Sequence, residues 1–198
     1  MRASRDSTKT VIPVPPLPAP FPLPPIRHLG IVVTDLAAAI THYRTQWGFG
    51  PWFKPRFNHG DNFLHGTDRI NTQYALASAF SGPLEIQLIQ VVGGDRDVLT
   101  DYLERHGAGV HHVGVYVNNI ARWVCFYKEQ GITVLQSGVL QSPGSRWGTM
   151  TQYAYLDTTG VGGLVLELIQ IHVLGFNISS SRFWFELGTW LGQIEKLA

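Results

Sequence analysis

The chain has 198 residues, 44% of them hydrophobic and only 15% charged, with a formal charge of +1; roughly 25% charged is usual for soluble domains. That balance excludes a nucleic-acid binder built on clustered base, and no apolar run of about 18 residues is present to form a transmembrane helix. The single cysteine, Cys125, excludes an internal disulfide framework and fits a reducing, cytoplasmic setting.

Residues 1–25 read as a leader. Met1–Thr10 is polar, and eight of the twelve prolines fall in Pro13–Pro25, PVPPLPAPFPLPP. Proline fixes φ and has no amide hydrogen to donate, so this stretch predicts extended polyproline II rather than helix or central strand. It is read as a stiff leader lying along its own domain or a partner subunit, with a groove ligand of SH3 type as the sharper alternative. The prolines interrupt any apolar core of a signal peptide.

From residue 28 the chain repeats itself. His28-Leu-Gly-Ile-Val-Val aligns with His112-Val-Gly-Val-Tyr-Val, Thr72-Gln-Tyr-Ala with Thr151-Gln-Tyr-Ala, and Leu84-Glu-Ile-Gln-Leu-Ile-Gln with Leu164-Val-Leu-Glu-Leu-Ile-Gln. Each copy predicts a strand (28–33, 112–117), then a helix (36–46, 120–130). Thr34/Asp35 or Asn118/Asn119 cap the helix, and Gly48 or Gly131 stops it. Three strand-like segments follow in each copy: 51–57, 72–80 and 84–90, then 133–137, 149–157 and 163–171. The expected organisation is a leader (1–25), a first βαβββ module (26–91), a linking segment with a helix at Asp97–His106 (92–109), a second module (110–171) and a C-terminal extension (172–198). Phe183, Leu187, Trp190, Leu191, Ile194 and Leu197 have helical spacing, which predicts an amphipathic helix over 181–198, capped by Ser180 or Ser181. Two paired βαβββ modules make the fold class α+β.

Strand side chains alternate faces. Leu29, Ile31 and Val33, like Val113, Val115 and Val117, form the face turned to a helix. His28 and His112 point the other way, as do Glu85, Gln87 and Glu167. The repeat pairs His28 with His112 and Gln87 with Glu167, and it selects His112 over its neighbour His111. Two imidazole nitrogens, one amide oxygen and one carboxylate oxygen on one face suit a borderline divalent ion. An unpaired Gln or Glu buried there would cost roughly 1–3 kcal/mol, which asks for a partner. Trp52, Phe53, Phe57, Phe63, Tyr74, Trp147, Tyr153 and Tyr155 are candidate pocket walls. The segments 54–71 and 138–149 are candidate gates.

These repeated segments, HLGIVV, HHVGVYV, LEIQLIQ and LVLELIQ, resemble the vicinal oxygen chelate superfamily over residues 26–171. That superfamily includes glyoxalase I, methylmalonyl-CoA epimerase, extradiol dioxygenases and bleomycin-resistance proteins. The linker Val98–His112 is similar to that of the epimerases. The resemblance implies a U-shaped sheet around one divalent metal ion (Mn, Co, Ni, Zn, Mg or Fe), held by His28, Gln87, His112 and Glu167 in the epimerase-like order. One departure is visible. Where the epimerase carries a proton-transfer carboxylate on the third strand of the first module, this chain has Gln73 and Tyr74. That argues against methylmalonyl-CoA as substrate, as do four scattered lysines.

The leading expectation is a metal-dependent isomerase, epimerase or lyase acting by proton transfer beside a carbonyl. Glu167 is the first candidate base and Glu85 the second, with Tyr74, Tyr153 and Asp157 weaker. The substrate is expected to be a fairly hydrophobic oxygenated small molecule, and the assembly a homodimer. A non-haem Fe(II) dioxygenase using His28, His112 and Glu167 alone is the first alternative. A non-enzymatic drug-binding protein is the second. His59, His65 and Arg69 are candidate contacts for an acidic group, with solvated loop positions as the plainer reading.

Overall fold

The computed structural model describes residues 22–57, 63–142, 149–160 and 163–197. The proline run up to Phe21, His59 and Trp147 lie outside the described residues.

The first module runs β1 (Ile26–Val32), α1 (Leu36–Trp47), β2 (Trp52–Pro55), β5 (Thr72–Ser81) and β6 (Leu84–Gly94). A short hairpin, β3 (Phe63–His65) and β4 (Asp68–Ile70), is inserted between β2 and β5. After α2 (Val98–His106), the second module runs β7 (Gly109–Tyr116), α3 (Ile120–Glu129), β8 (Val134–Gln141), β9 (Met150–Leu156) and β10 (Val165–Val173). The extension adds β11 (Phe176–Ile178), α4 (Arg182–Trp190) and β12 (Ile194–Leu197). Helices α1, α2 and α3 start where short polar side chains cap them. Asp35 accepts from the Ala38 amide at 2.9 Å, Asn119 from Arg122 at 3.0 Å and Asp97 from Thr100 at 2.8 Å.

All strands join one mixed sheet in the order β12-β2-β5-β6-β1-β7-β10-β9-β8-β3-β4, with β11 on β10. The modules meet at its centre. β1 lies antiparallel to β7, with β6 and β10 parallel to them on either side. Between β5 and β9 lie four strands, which in a flat sheet would hold them about 24 Å apart. Yet the Gln136 amide nitrogen donates to Tyr74 on β5 at 2.9 Å and to Tyr153 on β9 at 3.0 Å. The sheet therefore curls into a half-barrel.

The curl buries both faces. Outside, Ile31, Val33, Ile86 and Leu88 pack on Leu36 and Ile40 of α1. Val115, Val117, Leu166 and Leu168 pack on Trp123 of α3. Inside, Tyr74, Leu76 and Ile89 of the first module meet Tyr153, Tyr155 and Val165 of the second. Low charge and high aromatic content follow from a sheet whose two faces are both covered.

Three expectations from sequence are corrected. The amphipathic helix over 181–198 ends at Trp190, and residues 194–197 are a strand. Gly192, at φ 73°, breaks the helical spacing, and β12 satisfies the open edge of β2 through Ile194↔Pro55 to Leu197↔Trp52. The Ser181 side chain makes no cap bond to α4. The segment 54–71 is not simply a loop, because its hairpin crosses over and pairs Phe63–His65 with Gln136–Gly138 of the other module. Each module's outer edge thus carries a strand supplied from elsewhere in the chain.

Candidate metal centre

Three side chains meet on the inner face at the seam between modules. His28 is on β1, His112 on β7 and Glu167 on β10. Glu167 Oε2 stands 3.4 Å from His28 Nε2 and 3.1 Å from His112 Nε2. The imidazoles stack, with centroids 5.3 Å apart and planes 5° from parallel. One ligand atom from each of the three lies within 4.8 Å of the others.

The backbone makes room for this pairing. In the seam, His28 lies opposite Gly114 and Gly30 opposite His112. A Cβ on Gly30 would stand 2.0 Å from His112 Nε2, and one on Gly114 would stand 2.9 Å from the His28 Cβ. Each module's His-x-Gly therefore supplies one ring and a vacancy for the other's ring. The glycine two residues after each histidine is the sequence signal of this close approach.

The surroundings of the two rings differ. His28 Nδ1 is 3.6 Å from Glu85 Oε2. Glu85 accepts from the Ser78 hydroxyl at 2.6 Å and from the Tyr116 hydroxyl at 2.7 Å. Burial works to raise the Glu85 carboxyl, but His28 and the donated hydrogen bonds outweigh it and hold it at about 2. Burial likewise works to lower His28, and Glu85 and Glu167 together outweigh that and raise it. His112 Nδ1 instead faces His111 Nδ1 at 2.9 Å. One of these nitrogens carries the hydrogen, and with it on His112 the Nε2 nitrogen, which faces Glu167 Oε2, keeps its lone pair. Burial lowers His112, and it pushes His111 down to about 3 with the help of the neighbouring His112. Both rings are therefore held neutral.

These residues fit a divalent ion. His28 Nε2, His112 Nε2 and Glu167 Oε2 are buried and have no hydrogen-bond partner. Buried polar atoms without partners are rare, and two imidazoles with a carboxylate are a borderline-metal donor set. Gln87, paired with Gly30 in the β1–β6 register, lines the same cavity.

The cavity around the site holds about 230 Å³. Its walls include Tyr74, Tyr116, Tyr153 and Tyr155 with Leu76, Ile89, Ile169 and Ile171. Phe57 also lines it, but three other expected wall residues stand elsewhere. Trp52 is fully buried on the opposite face, packed with the α1 cluster, because its position in β2 turns it toward the helix. Phe53 is buried against Phe80 and Phe185. Phe63 is buried edge-on to Tyr74, with centroids 5.5 Å apart, and backs that wall rather than lining it. His65 and Arg69 sit on the β3–β4 hairpin, away from the cavity-lining residues.

Tyr74 is not placed to act as a base. Its hydroxyl donates to Asp97, the cap of α2, and burial raises it far above the tyrosine range. Asp157 is a turn former, accepting from Thr159 Oγ1 at 2.5 Å. The bonds from Tyr74 to Asp97 and from Gln136 to Tyr74 have no signal in the sequence, since nothing in the spacing of these residues links them. Among the described residues no helix is long and apolar enough to cross a membrane.

Comparison with known structures finds the same fold. A hypothetical protein from Bacillus halodurans C-125 aligns with a TM-score of 0.50 and 20% identity, over 73% of this chain and 92% of that one. A methylmalonyl-CoA epimerase from Mycobacterium tuberculosis aligns with a TM-score of 0.50 and 19% identity, over 73% and 85%. A Streptomyces coelicolor methylmalonyl-CoA epimerase variant in complex with 2-nitronate-propionyl-CoA aligns with a TM-score of 0.48 and 20% identity, over 75% and 97%. Comparison with curated proteins finds no match. The family profile described as Glyoxalase/Bleomycin resistance protein/Dioxygenase superfamily matches residues 27–147, more than half of the sequence. The chain belongs to that superfamily, also called the vicinal oxygen chelate superfamily.

Proposed function

We propose that the protein is a divalent-metal-dependent isomerase, epimerase or lyase that moves a proton on the carbon beside a carbonyl of a fairly hydrophobic oxygenated small molecule. The observation that carries this reading is the convergence of His28 Nε2, His112 Nε2 and Glu167 Oε2, without hydrogen-bond partners, with His28 and Glu167 lining a cavity walled by aromatic and aliphatic side chains. A divalent ion bound by these residues, with Gln87 as the fourth candidate donor, supplies Lewis-acid polarisation of substrate oxygens.

The chain's own groups do the rest. Glu167 is the candidate base, because it is the carboxylate whose Oε2 faces the cavity without a partner. Glu85 lines the same cavity, but Ser78 and Tyr116 donate to its two oxygens, so we assign it to orienting His28. Tyr74 is assigned to the wall. The apolar lining excludes water and strengthens every charge interaction inside.

Methylmalonyl-CoA is disfavoured as substrate in spite of the shared fold. Tyr74 occupies the strand from which the proton-transfer carboxylate was expected, and its proton is committed to Asp97. Taken without Gln87, the same three side chains are a 2-His-1-carboxylate set, which supports a non-haem Fe(II) dioxygenase as the second reading.

Metal analysis of protein purified without chelators tests the site. The expected result is about one divalent ion per chain, falling at least about tenfold in His112→Ala. Unchanged metal content in His112→Ala would remove the site. Bound iron with oxygen uptake on catechols would favour the second reading, whereas manganese, cobalt, nickel or zinc without oxygen uptake favours the first.

A further inference from the structure

The C-terminal extension lies beyond the residues matched by the family profile, and it forms one wall of the metal cavity. Trp184, Phe185, Leu187 and Gly188 of α4, with Leu191 just after it and Ile194 of β12, all line it. This wall is built in. β12 extends the sheet along β2, and the Arg56 amide adds a bond to the Gln193 carbonyl at 3.1 Å. The Phe185 ring packs edge-on against Phe53 and Phe80, with centroids 5.6 and 5.2 Å away. Lys196 Nζ reaches both Glu186 oxygens at 2.8 Å, tying the strand back to the helix. Ile194 sits so close over Gly188 that a Cβ there would stand 2.7 Å from its Cδ1. A hairpin held at its edge, its aromatic ring and its ion pair is a fixed surface.

The chemistry of the enclosed space is uneven. The seam strands contribute His28, Glu85, Gln87 and Glu167 to the lining, whereas α4 contributes aliphatic and aromatic side chains. Among the described lining residues Arg56 is the sole Lys or Arg, and it is exposed. Several phosphates would find one cation here, in a lining that also holds the two buried carboxylates Glu85 and Glu167.

We propose that the α4–β12 hairpin sets the substrate class of this site: a compact molecule with an aromatic or branched aliphatic body against Trp184, Leu187 and Leu191 and an oxygenated head toward His28 and His112, with thioesters of coenzyme A excluded. This rests on the metal-dependent reading above for the orientation of the head. The body-binding wall itself is independent of the metal.

The test uses the full chain loaded with Co(II) and two hydroxamates that share a head and differ in body. Titration calorimetry gives affinity, and the visible Co(II) spectrum reports the head alone. Benzohydroxamate is expected to bind at least about tenfold tighter than acetohydroxamate, as burial of a phenyl ring requires. Trp184→Ala should remove most of that difference while leaving acetohydroxamate within about twofold, and Leu187→Trp, which fills the same space, should do likewise. Coenzyme A at millimolar concentration should displace neither probe. Equal binding of the two hydroxamates, insensitivity of the difference to both variants, or displacement by coenzyme A overturns the proposal. If Co(II) does not bind, the metal-dependent reading fails on its own, and the wall is then read on metal-free protein with 2-naphthol. Trp184→Ala and Leu187→Trp should each weaken 2-naphthol binding about tenfold, and unchanged binding overturns the wall.

Discussion

In the first module His28 is backed by a carboxylate that two hydroxyls hold in place. In the second, His112 is backed by a neutral imidazole among aromatic rings, with Tyr155 centred 4.8 Å from it. The repeat makes His28 and His112 equivalent and pairs Gln87 with Glu167, yet it pairs Glu85 with Val165. The halves thus share a scaffold and differ in charge. The first brings an extra anion behind its ligand, and the second puts its anion directly on the cavity. The matching segments put His28 and His112 at equivalent positions, and the residues next to them make one face of the pocket chemically unlike the other.

The largest expected effect breaks the seam itself. Gly30→Ala would place a methyl inside the His112 ring, 2.0 Å from Nε2, whereas Gly114→Ala meets the His28 Cβ at 2.9 Å. Overpacking of this kind costs about 1–3 kcal/mol or more. Gly30→Ala should therefore lose metal and unfold at lower denaturant than Gly114→Ala, measured by metal analysis and urea unfolding. Equal behaviour of the two variants would show that the seam adjusts and that the close approach is not what places His112.

Next in size is the difference in backing. Glu85→Ala strips the acceptor from Ser78 and Tyr116, at a cost of about 1–3 kcal/mol for stranded buried donors, and weakens metal binding about 10–100-fold through His28. His111→Phe, which keeps a ring between Tyr102 and Tyr155, should weaken metal binding by a smaller factor because no charge is lost. Competition with a fluorescent chelator reads both. A larger loss from His111→Phe than from Glu85→Ala would reverse the assignment of the stronger backing to the first module.

A smaller effect is expected where both modules share one bond network. Gln136 of the second module donates to Tyr74 of the first and Tyr153 of the second, and its oxygen accepts from the Val98 amide at 3.1 Å. Tyr74→Phe removes one donor to Asp97 and one acceptor for Gln136, at a cost of about 1–2 kcal/mol. Metal content should stay at the wild-type level, since Tyr74 belongs to the wall. Loss of metal in Tyr74→Phe would place the network in the site after all.

Much of this was legible in the sequence, for identifiable reasons. The α1 and α3 caps at Asp35 and Asn119, the linking helix from Asp97, and the helix-facing rows Ile31/Val33 and Val115/Val117 follow from local rules of capping, periodicity and alternation. His28, His112 and Glu167 were singled out together with Gln87 because the repeat turns four weak signals into one joint pattern. What stayed hidden depends on distant strands. Trp52 reads as a pocket aromatic until β2 is seen to turn it toward α1. The strand at 194–197 exists because the β2 edge is open, and no periodicity in the tail reports that edge. Glu85 sits two residues before Gln87 and looked like one more inward side chain. Its hydroxyl partners come from the neighbouring β5 and from β7 in the other module.

The last pair of residues tests whether the scaffold really is symmetric. The final glutamine of each repeated block, Gln90 and Gln170, clamps the start of its own module's helix. Gln90 accepts from the Leu36 amide at 3.0 Å and donates to the Thr34 carbonyl at 3.0 Å. Gln170 accepts from the Ile120 amide at 2.8 Å and donates to the Asn118 carbonyl at 2.8 Å. Both thereby fill backbone groups that a helix N-terminus leaves open. Replacing either by Leu should cost about 1–2 kcal/mol by removing two hydrogen bonds at a partly buried junction. The two costs should agree to within about 0.5 kcal/mol, the usual spread for independent sites, and metal affinity should not move in either variant. Gln170 also donates to Asn177 of β11 at 2.9 Å, so any excess cost belongs on the Gln170 side. An excess on the Gln90 side, read from urea unfolding of the two variants, would mean that the first module leans on its helix junction more than the second. The shared scaffold would then be as uneven as the site it carries.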